Sequence, residues 1–137
     1  MKNNISLIIP CYQSNTEMLN QALECAELFD EVILHVNDKD TYSKINMFLS
    51  NKWIKIIYRE PRVSVQEALN EAICHASGEW ILPFTDDDFF CGENIPKLLK
   101  YIEFGNVKED IIHYPIFAGN DNEGWHYWGA NPKVDFK

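Results

Sequence analysis

Basic residues are scarce in this chain of 137 residues: 12 Lys and Arg stand against 21 Asp and Glu, a formal net charge of −9 with His neutral. That balance excludes a nonspecific nucleic-acid binder, which needs clustered cations to neutralise phosphates. It admits a phosphorylated small molecule only where a metal or local positive groups offset the charge. No apolar run approaches the ~20 residues of a membrane span, and Met1-Lys2-Asn3-Asn4 carries no signal-peptide pattern, so the expected location is cytoplasmic. The cysteines Cys11, Cys25, Cys74 and Cys91 lack Cys-x-x-Cys spacing. They argue against a zinc site or a disulfide framework, and most read as ordinary thiols in or near a core. Repeats, low-complexity tracts and long Gly/Ser/Pro linkers are missing as well, so the expectation is one domain over residues 1–137.

What is present excludes disorder: 46% of residues are apolar and 13% aromatic. Ile5 to Ile9 is a continuous apolar run closed by Pro10, the pattern of a buried strand. Ser14 and Glu17 have capping-box spacing ahead of a helix through Met18, Leu19, Ala22, Leu23 and Ala26. Glu31 to Val36 reads as a second strand, Asp40 as the cap of a short helix through Ile45 and Phe48, and Trp53 to Tyr58 as a third strand. Ser64 and Glu67 repeat the capping-box spacing before Val65, Ala68, Leu69, Ala72, Ile73 and Ala76, one face of a helix that Gly78 is expected to stop. Trp80 to Phe84 is a fourth strand running into Thr85-Asp86-Asp87-Asp88, Asn94 and Pro96 open a helix ending near Gly105, and Asp110 to Phe117 holds a fifth strand. From residue 118 onward the signals are irregular. Alternating strands and helices imply βαβ units, an α/β fold with a mostly parallel sheet, and ligands bound beyond the carboxyl ends of its strands.

Three polar clusters follow such ends: Pro10-Cys11-Tyr12, Asn37-Asp38 and the Asp triplet. Adjacent aspartates repel, and each carboxylate must find a donor or a cation. Mg²⁺ or Mn²⁺ would answer that need, held by one or two carboxylates with substrate phosphates and water. A solvated acidic loop capping the next helix is the competing reading. Asp38 suits either a nucleobase N–H or a turn and helix cap. Tyr12 suits a base pocket or packing under a loop, and Arg62 a phosphate, a base or open solvent.

Order and spacing add a resemblance. Ile5-Ser6-Leu7-Ile8-Ile9-Pro10-Cys11-Tyr12-Gln13 resembles the opening strand of family 2 glycosyltransferases, an apolar run followed by P-T-Y-N. Val36-Asn37-Asp38 is similar to their V-D-D. Ala68-Leu69-Asn70 followed by Ala76-Ser77-Gly78-Glu79-Trp80-Ile81-Leu82 is similar to A-R-N then A-K-G-E-Y-I-L, and Thr85-Asp86-Asp87-Asp88 falls where the family carries D-x-D with a trailing Asp. The match covers roughly residues 5 to 90. It implies a three-layer, Rossmann-like GT-A nucleotide-diphospho-sugar transferase fold, a nucleotide-diphospho-sugar donor (a UDP-sugar by default) and Mn²⁺ or Mg²⁺ on its diphosphate. By position, Pro10, Cys11 and Tyr12 would line the base and ribose pocket and Asp38 would meet the base. Asp87 would be the principal metal ligand with Asp86 or Asp88 assisting, and Asp86 would also face the nucleotide; Arg62 lies outside the matched motifs and is a candidate for the nucleotide site as a substitute for the family's Arg.

This sequence departs from the family pattern at Thr85, which stands at the first Asp of D-x-D, at Asn37, which replaces an acid, and at Leu69, which replaces the frequent Arg. The Gly usual near Ala72 is also missing. Family enzymes ordinarily build their acceptor site and place a catalytic base in residues beyond this chain's end. None of Glu103, Glu109, Asp110, Asp121, Glu123 and Asp135 sits in a motif for that role, so the catalytic base is unassigned. The aromatic stretch Trp125-His126-Tyr127-Trp128 suits core packing or a sugar face, and His113 and His126 read as structural. Two functions are expected: a small metal-dependent glycosyltransferase with an unknown acceptor, or a nucleotide-sugar-binding module without transfer. The missing acceptor site would come from the last twenty residues or from a second subunit, a homo-oligomer or a partner chain. A nucleotidyltransferase is disfavoured because no Gly-rich, basic loop follows the first strand.

Overall fold

The computed structural model describes residues 4–48, 53–88, 94–104, 116–120 and 124–128. The chain divides into two compact units, Met1–Asn106 and Val107–Lys137. In the first, β1 (Ile5–Cys11), β2 (Glu31–Val36), β3 (Ile54–Tyr58) and β4 (Trp80–Pro83) form one sheet in the order β3-β2-β1-β4. Every pairing in it is parallel. The connections carry α1 (Thr16–Leu23) with a 3-10 turn at Ala26–Leu28, α2 (Lys39–Phe48) and α3 (Val65–His75), and α4 (Asn94–Phe104) follows β4. In the second unit, β5 (Ile116–Asn120) and β6 (Gly124–Trp128) pair antiparallel, Ile116 opposite Trp128. The fifth strand expected over 110–117 lies mostly outside the described residues; the aromatic stretch forms β6.

The crossovers β1-α1-β2 and β2-α2-β3 step one way across the sheet, whereas β3-α3-β4 steps back over β1 and β2. Right-handed connections therefore put α1 and α2 on one face and α3 on the other. The long apolar runs follow from this layering, because a parallel sheet is covered on both sides. Ile8 and Ile33, adjacent in register, pack with Ala72 of α3 against Ile57, Leu69, Ala76 and Ile81. The alternate residues Leu7, Ile9, Val32 and Leu34 are also completely buried. Their face belongs to α1 and α2, which bury Leu19, Ala22 and Ile45.

Three local expectations change in three dimensions. Helix α1 is capped by Asn15, whose side-chain oxygen accepts from the N–H groups of Glu17 and Met18, not by Ser14. Helix α2 is capped by Asp38, which accepts from Thr41 N–H at 2.8 Å, not by Asp40, which pairs with Lys44 one turn on. Gly78 stops nothing, since α3 already ends at His75 with an extended Ala76. It is small for another reason: a Cβ there would lie 2.6 Å from Ser6 N and 2.9 Å from Asn4 O. Close approach lets Gly78 N–H reach Ser6 Oγ at 2.9 Å. The Ser64–Glu67 capping box forms as its spacing predicts.

Below the apolar cluster, at the amino ends of the strands, lies buried Glu31. It accepts from Lys55, Ser6, and both the N–H and the hydroxyl of Ser77. Burial alone would raise its pKa, but these donors outweigh it and bring the carboxyl down to about 2. Four segments meet on one side chain, far from the carboxyl ends.

Candidate functional site

The site begins where β1 outlives its neighbour. Cys11 C=O accepts from Asn37 N–H on the β2 side, while Ile8 C=O accepts from Phe84 N–H on the β4 side. By alternation Pro10 faces β4, one step past the last β1–β4 register pair, Ile8 with Pro83. Its missing N–H falls where the next rung toward β4 would form, so the β1–β4 ladder ends there, while the β2 side of the strand keeps its pairing. Here the two strands part. Chain order also reverses here, with β2 and β3 on one side of β1 and β4 on the other, so this is the switch point at which open α/β sheets bind ligands.

After the parting, Gln13 takes a left-handed backbone with φ 51°. Its N–H donates to Asp38 Oδ2 at 2.8 Å while Thr41 N–H donates to Oδ1. Partial burial pushes the Asp38 carboxyl up, but the N–H donors of Thr41 and Gln13 prevail and hold it below its ordinary value. Asp38 is thus both the cap expected of a turn residue and a charged wall of an open pocket of about 570 Å³. That pocket is lined by Tyr12, Asn37, Asp38, Glu60, Pro61 and Arg62. The Arg62 guanidinium lies 3.8 Å from the Tyr12 ring centroid, a cation–π contact covering one face of the ring. Glu60 accepts from Tyr58 Oη at 2.6 Å, which drives the Tyr58 phenol up to about 12.

Pocket residue Asn37 is buried and held from two sides. Its side-chain oxygen accepts from Val63 N–H at 3.3 Å, and its amide donates to Nδ1 of fully buried His35 at 3.0 Å. Because Nδ1 accepts, Nε2 carries the proton donated to Glu71 at 2.9 Å. That bond, with the Arg59 guanidinium at 3.2 Å, keeps Glu71 below the usual carboxylate range. An amide at 37 supplies a donor for His35 that the family's aspartate would not.

Across the crevice, the acidic loop leaves β4. Asp86 accepts from the Ser14 hydroxyl, Asp88 accepts from Thr85 Oγ1 at 2.7 Å, and Asp87 is exposed without a hydrogen-bond partner among the described residues. Tyr12, Asp38 and Arg62 therefore share one pocket, and Asp86 joins it through Ser14. Cys11 takes no side-chain part: its thiol is fully buried and donates to Ile9 C=O, and burial with the nearby Asp86 charge pushes its pKa upward. Pro10 shapes the strand end without lining the pocket.

A model described as glycosyl transferase family 2 matches residues 6–136. The chain belongs to that family. No curated protein matches it. With the parallel four-stranded sheet between helices, membership makes this a GT-A, Rossmann-like fold and carries a glycosyltransferase-like, nucleotide-sugar function. Among the described residues, no helix is long and apolar enough to cross a membrane.

Divalent cations are common in the family, and the donors here suit them. No group of three or more His, Cys, Asp or Glu converges as a metal cage among the described residues. Mg²⁺ and Mn²⁺ sites instead pair one or two carboxylates with substrate phosphates and water, and the hard oxygens of Asp87 and Asp88 fit that pattern. Sequence reasoning passed over Ser14, Glu60 and the His35–Glu71 pair. Ser14 alone left a trace: the Ser14-Asn15 doublet offers two caps for one helix start, so one is spare. Leu69, which replaces the family's Arg, packs against the apolar cluster and leaves Arg62 as the cation of the pocket.

Proposed function

We propose that the crevice binds a nucleotide-diphospho-sugar together with Mn²⁺ or Mg²⁺ and passes its sugar to an acceptor hydroxyl. One observation carries this reading: a pocket walled by Tyr12, Asp38 and Arg62 and an acidic loop at Asp86–Asp88 are joined at the carboxyl ends of adjacent parallel strands. Tyr12 offers an aromatic face for the base, Asp38 a fixed acceptor for base N–H groups, and Arg62 the basic side chain among the residues that line the pocket. Asp87 and Asp88 would hold the cation, which when bound neutralises charge on the departing nucleoside diphosphate.

A second reading is favoured by the carboxylates. Among the described residues of the crevice, Asp38, Glu60, Asp86 and Asp88 each already accept from a protein donor and Asp87 is given to the cation, so no carboxylate there is left unassigned as a base for an acceptor hydroxyl. On that reading the chain is a donor-binding module, and a partner subunit supplies the acceptor half.

Thermal unfolding against UDP, GDP, CDP and ADP, each with and without Mn²⁺, tests the shared donor site. Ligand at a hundred times its Kd adds ~2.7 kcal/mol, a shift of several degrees. A shift needing both cation and one nucleotide is expected, and Asp87→Ala should abolish its cation dependence. No shift with any pair sinks both readings. Transfer or hydrolysis of the matching nucleotide-sugar then separates them, since a binding module shows neither.

A further inference from the structure

Ser14 is left without its expected task, because Asn15 caps α1. It is nevertheless buried, and both of its donors are used. The backbone N–H donates to Thr41 Oγ1 at 3.1 Å, and the hydroxyl donates to Asp86 Oδ2. Thr41, itself buried, donates its N–H to Asp38 Oδ1, and Gln13 next to Ser14 donates to Asp38 Oδ2. An unbroken path thus runs from the Asp38 carboxylate through Thr41 and Ser14 to the Asp86 carboxylate, joining loops that follow β2, β1 and β4. The Thr85–Asp88 bond stays inside the acidic loop. Among the described residues, the Ser14 hydroxyl makes the only side-chain hydrogen bond tying residues 85–88 to another loop.

We propose that Ser14 is a positioning residue that fixes the Asp86 carboxylate and couples the base pocket at Asp38 to the diphosphate-and-cation end of the crevice. The hydroxyl occupies Oδ2 and leaves Oδ1 for a ligand. Because Gln13 and Ser14 are consecutive, a base that settles on Asp38 and Tyr12 also settles the loop that holds Asp86. Nucleotide and cation should then each tighten the other, and reciprocity requires the same factor in both directions. This inference rests on the donor-site reading above.

The test is the Kd of the nucleoside diphosphate selected by the thermal panel, measured by calorimetry with and without Mn²⁺. The ratio of the two values is the coupling factor. Ser14→Ala should cut that ratio by about tenfold, the worth of one hydrogen bond to a charged group. Ser14→Thr, which keeps the hydroxyl, should restore it. Asp86→Ala by itself should also cut the ratio, and adding Ser14→Ala to it should cut the ratio no further, a non-additivity that a merely structural serine would not produce. An unchanged ratio in Ser14→Ala overturns the proposal while the donor site stands. Additive losses in the double variant overturn it as well, as does a folded Ser14→Thr that loses the coupling. Should Ser14→Ala not fold, the Asp86→Ala and Ser14→Thr ratios still decide. Absence of Mn²⁺-dependent binding in the unmodified protein overturns the donor-site reading and the proposal together.

Discussion

Replacing Glu31 by Gln tests how the fold is held at the end of the sheet remote from the ligand. Glu31 is 6% exposed and gathers donors from β1, β3 and the segment after α3, so its charge is worth more than that of a surface acid. Its carboxyl falls from an ordinary 4.5 to about 2. At ~1.4 kcal/mol per pKa unit, the charged form stabilises the folded state by about 3 kcal/mol. A depressed folded pKa gives stability that is complete above pH 4.5 and lost as pH falls toward about 2. Gln keeps the shape and one acceptor but not the charge, and Lys55, half exposed, turns to solvent instead of being stranded. At pH 7 the variant should melt roughly 10 °C below the parent. The gap should narrow between pH 4.5 and about 2, since the unfolded parent takes up the Glu31 proton from about pH 4.5 down while the folded parent takes it up only near 2, below which both proteins are neutral at position 31. Other depressed carboxylates, Asp38, Glu67 and Glu71, titrate alike in both proteins and cancel in the difference. Denaturation followed by circular dichroism across that range is the assay. A variant melting within about 2 °C of the parent at pH 7, or a gap that stays constant on acidification, would refute the reasoning.

Gly78→Ala should destabilise the fold by roughly 1–3 kcal/mol, because the new Cβ strikes the backbone of Ser6 and Asn4 and β1 must shift; chemical denaturation measures it, and a neutral result would mean the approach is looser than described. Asp38→Ala strips Gln13 and Thr41 of their acceptor and should cost about 2 kcal/mol along with nucleotide affinity. Asp38→Asn, which keeps one acceptor, should cost less stability, and equal losses would deny the carboxylate its double role. Arg62→Ala removes an exposed cation–π contact worth about 0.5–1 kcal/mol, so the melting temperature should hardly move while nucleoside diphosphate binding weakens. Unaltered affinity would take Arg62 out of the donor site.

Strands and helices of the first unit were readable because each buried face repeats at the period of its element. Leu7–Ile9 and Val32–Leu34 are apolar on both sides, as the middles of strands sandwiched between helices must be, and Ala68, Leu69, Ala72 and Ala76 keep the helical stride that packs α3 on Ile8 and Ile33. Tyr12, Asp38 and Arg62 were legible as candidates because each follows a strand end, and the structure joins them in one pocket. Helix starts were harder. Ser14, Asp40 and Asp38 all have capping chemistry, and the choice between neighbours depends on other partners: Asp86 of a distant loop claims Ser14, and Lys44 one turn on claims Asp40.

Residue types, spacing and family motifs determined by themselves that this chain builds alternating strands and helices, that polar clusters end three of its strands, and that glycosyltransferase chemistry is its kin. Those features are local or periodic, so they survive in one dimension. Tertiary structure alone decided that Ser14 serves Asp86, that Gly78 must admit Ser6, that His35 and Glu71 pair under Asn37, and that Cys11 faces the core. Each of these is set by strand order and register, which bring residues far apart in the chain within hydrogen-bonding distance, and hydrogen bonds act only at such range.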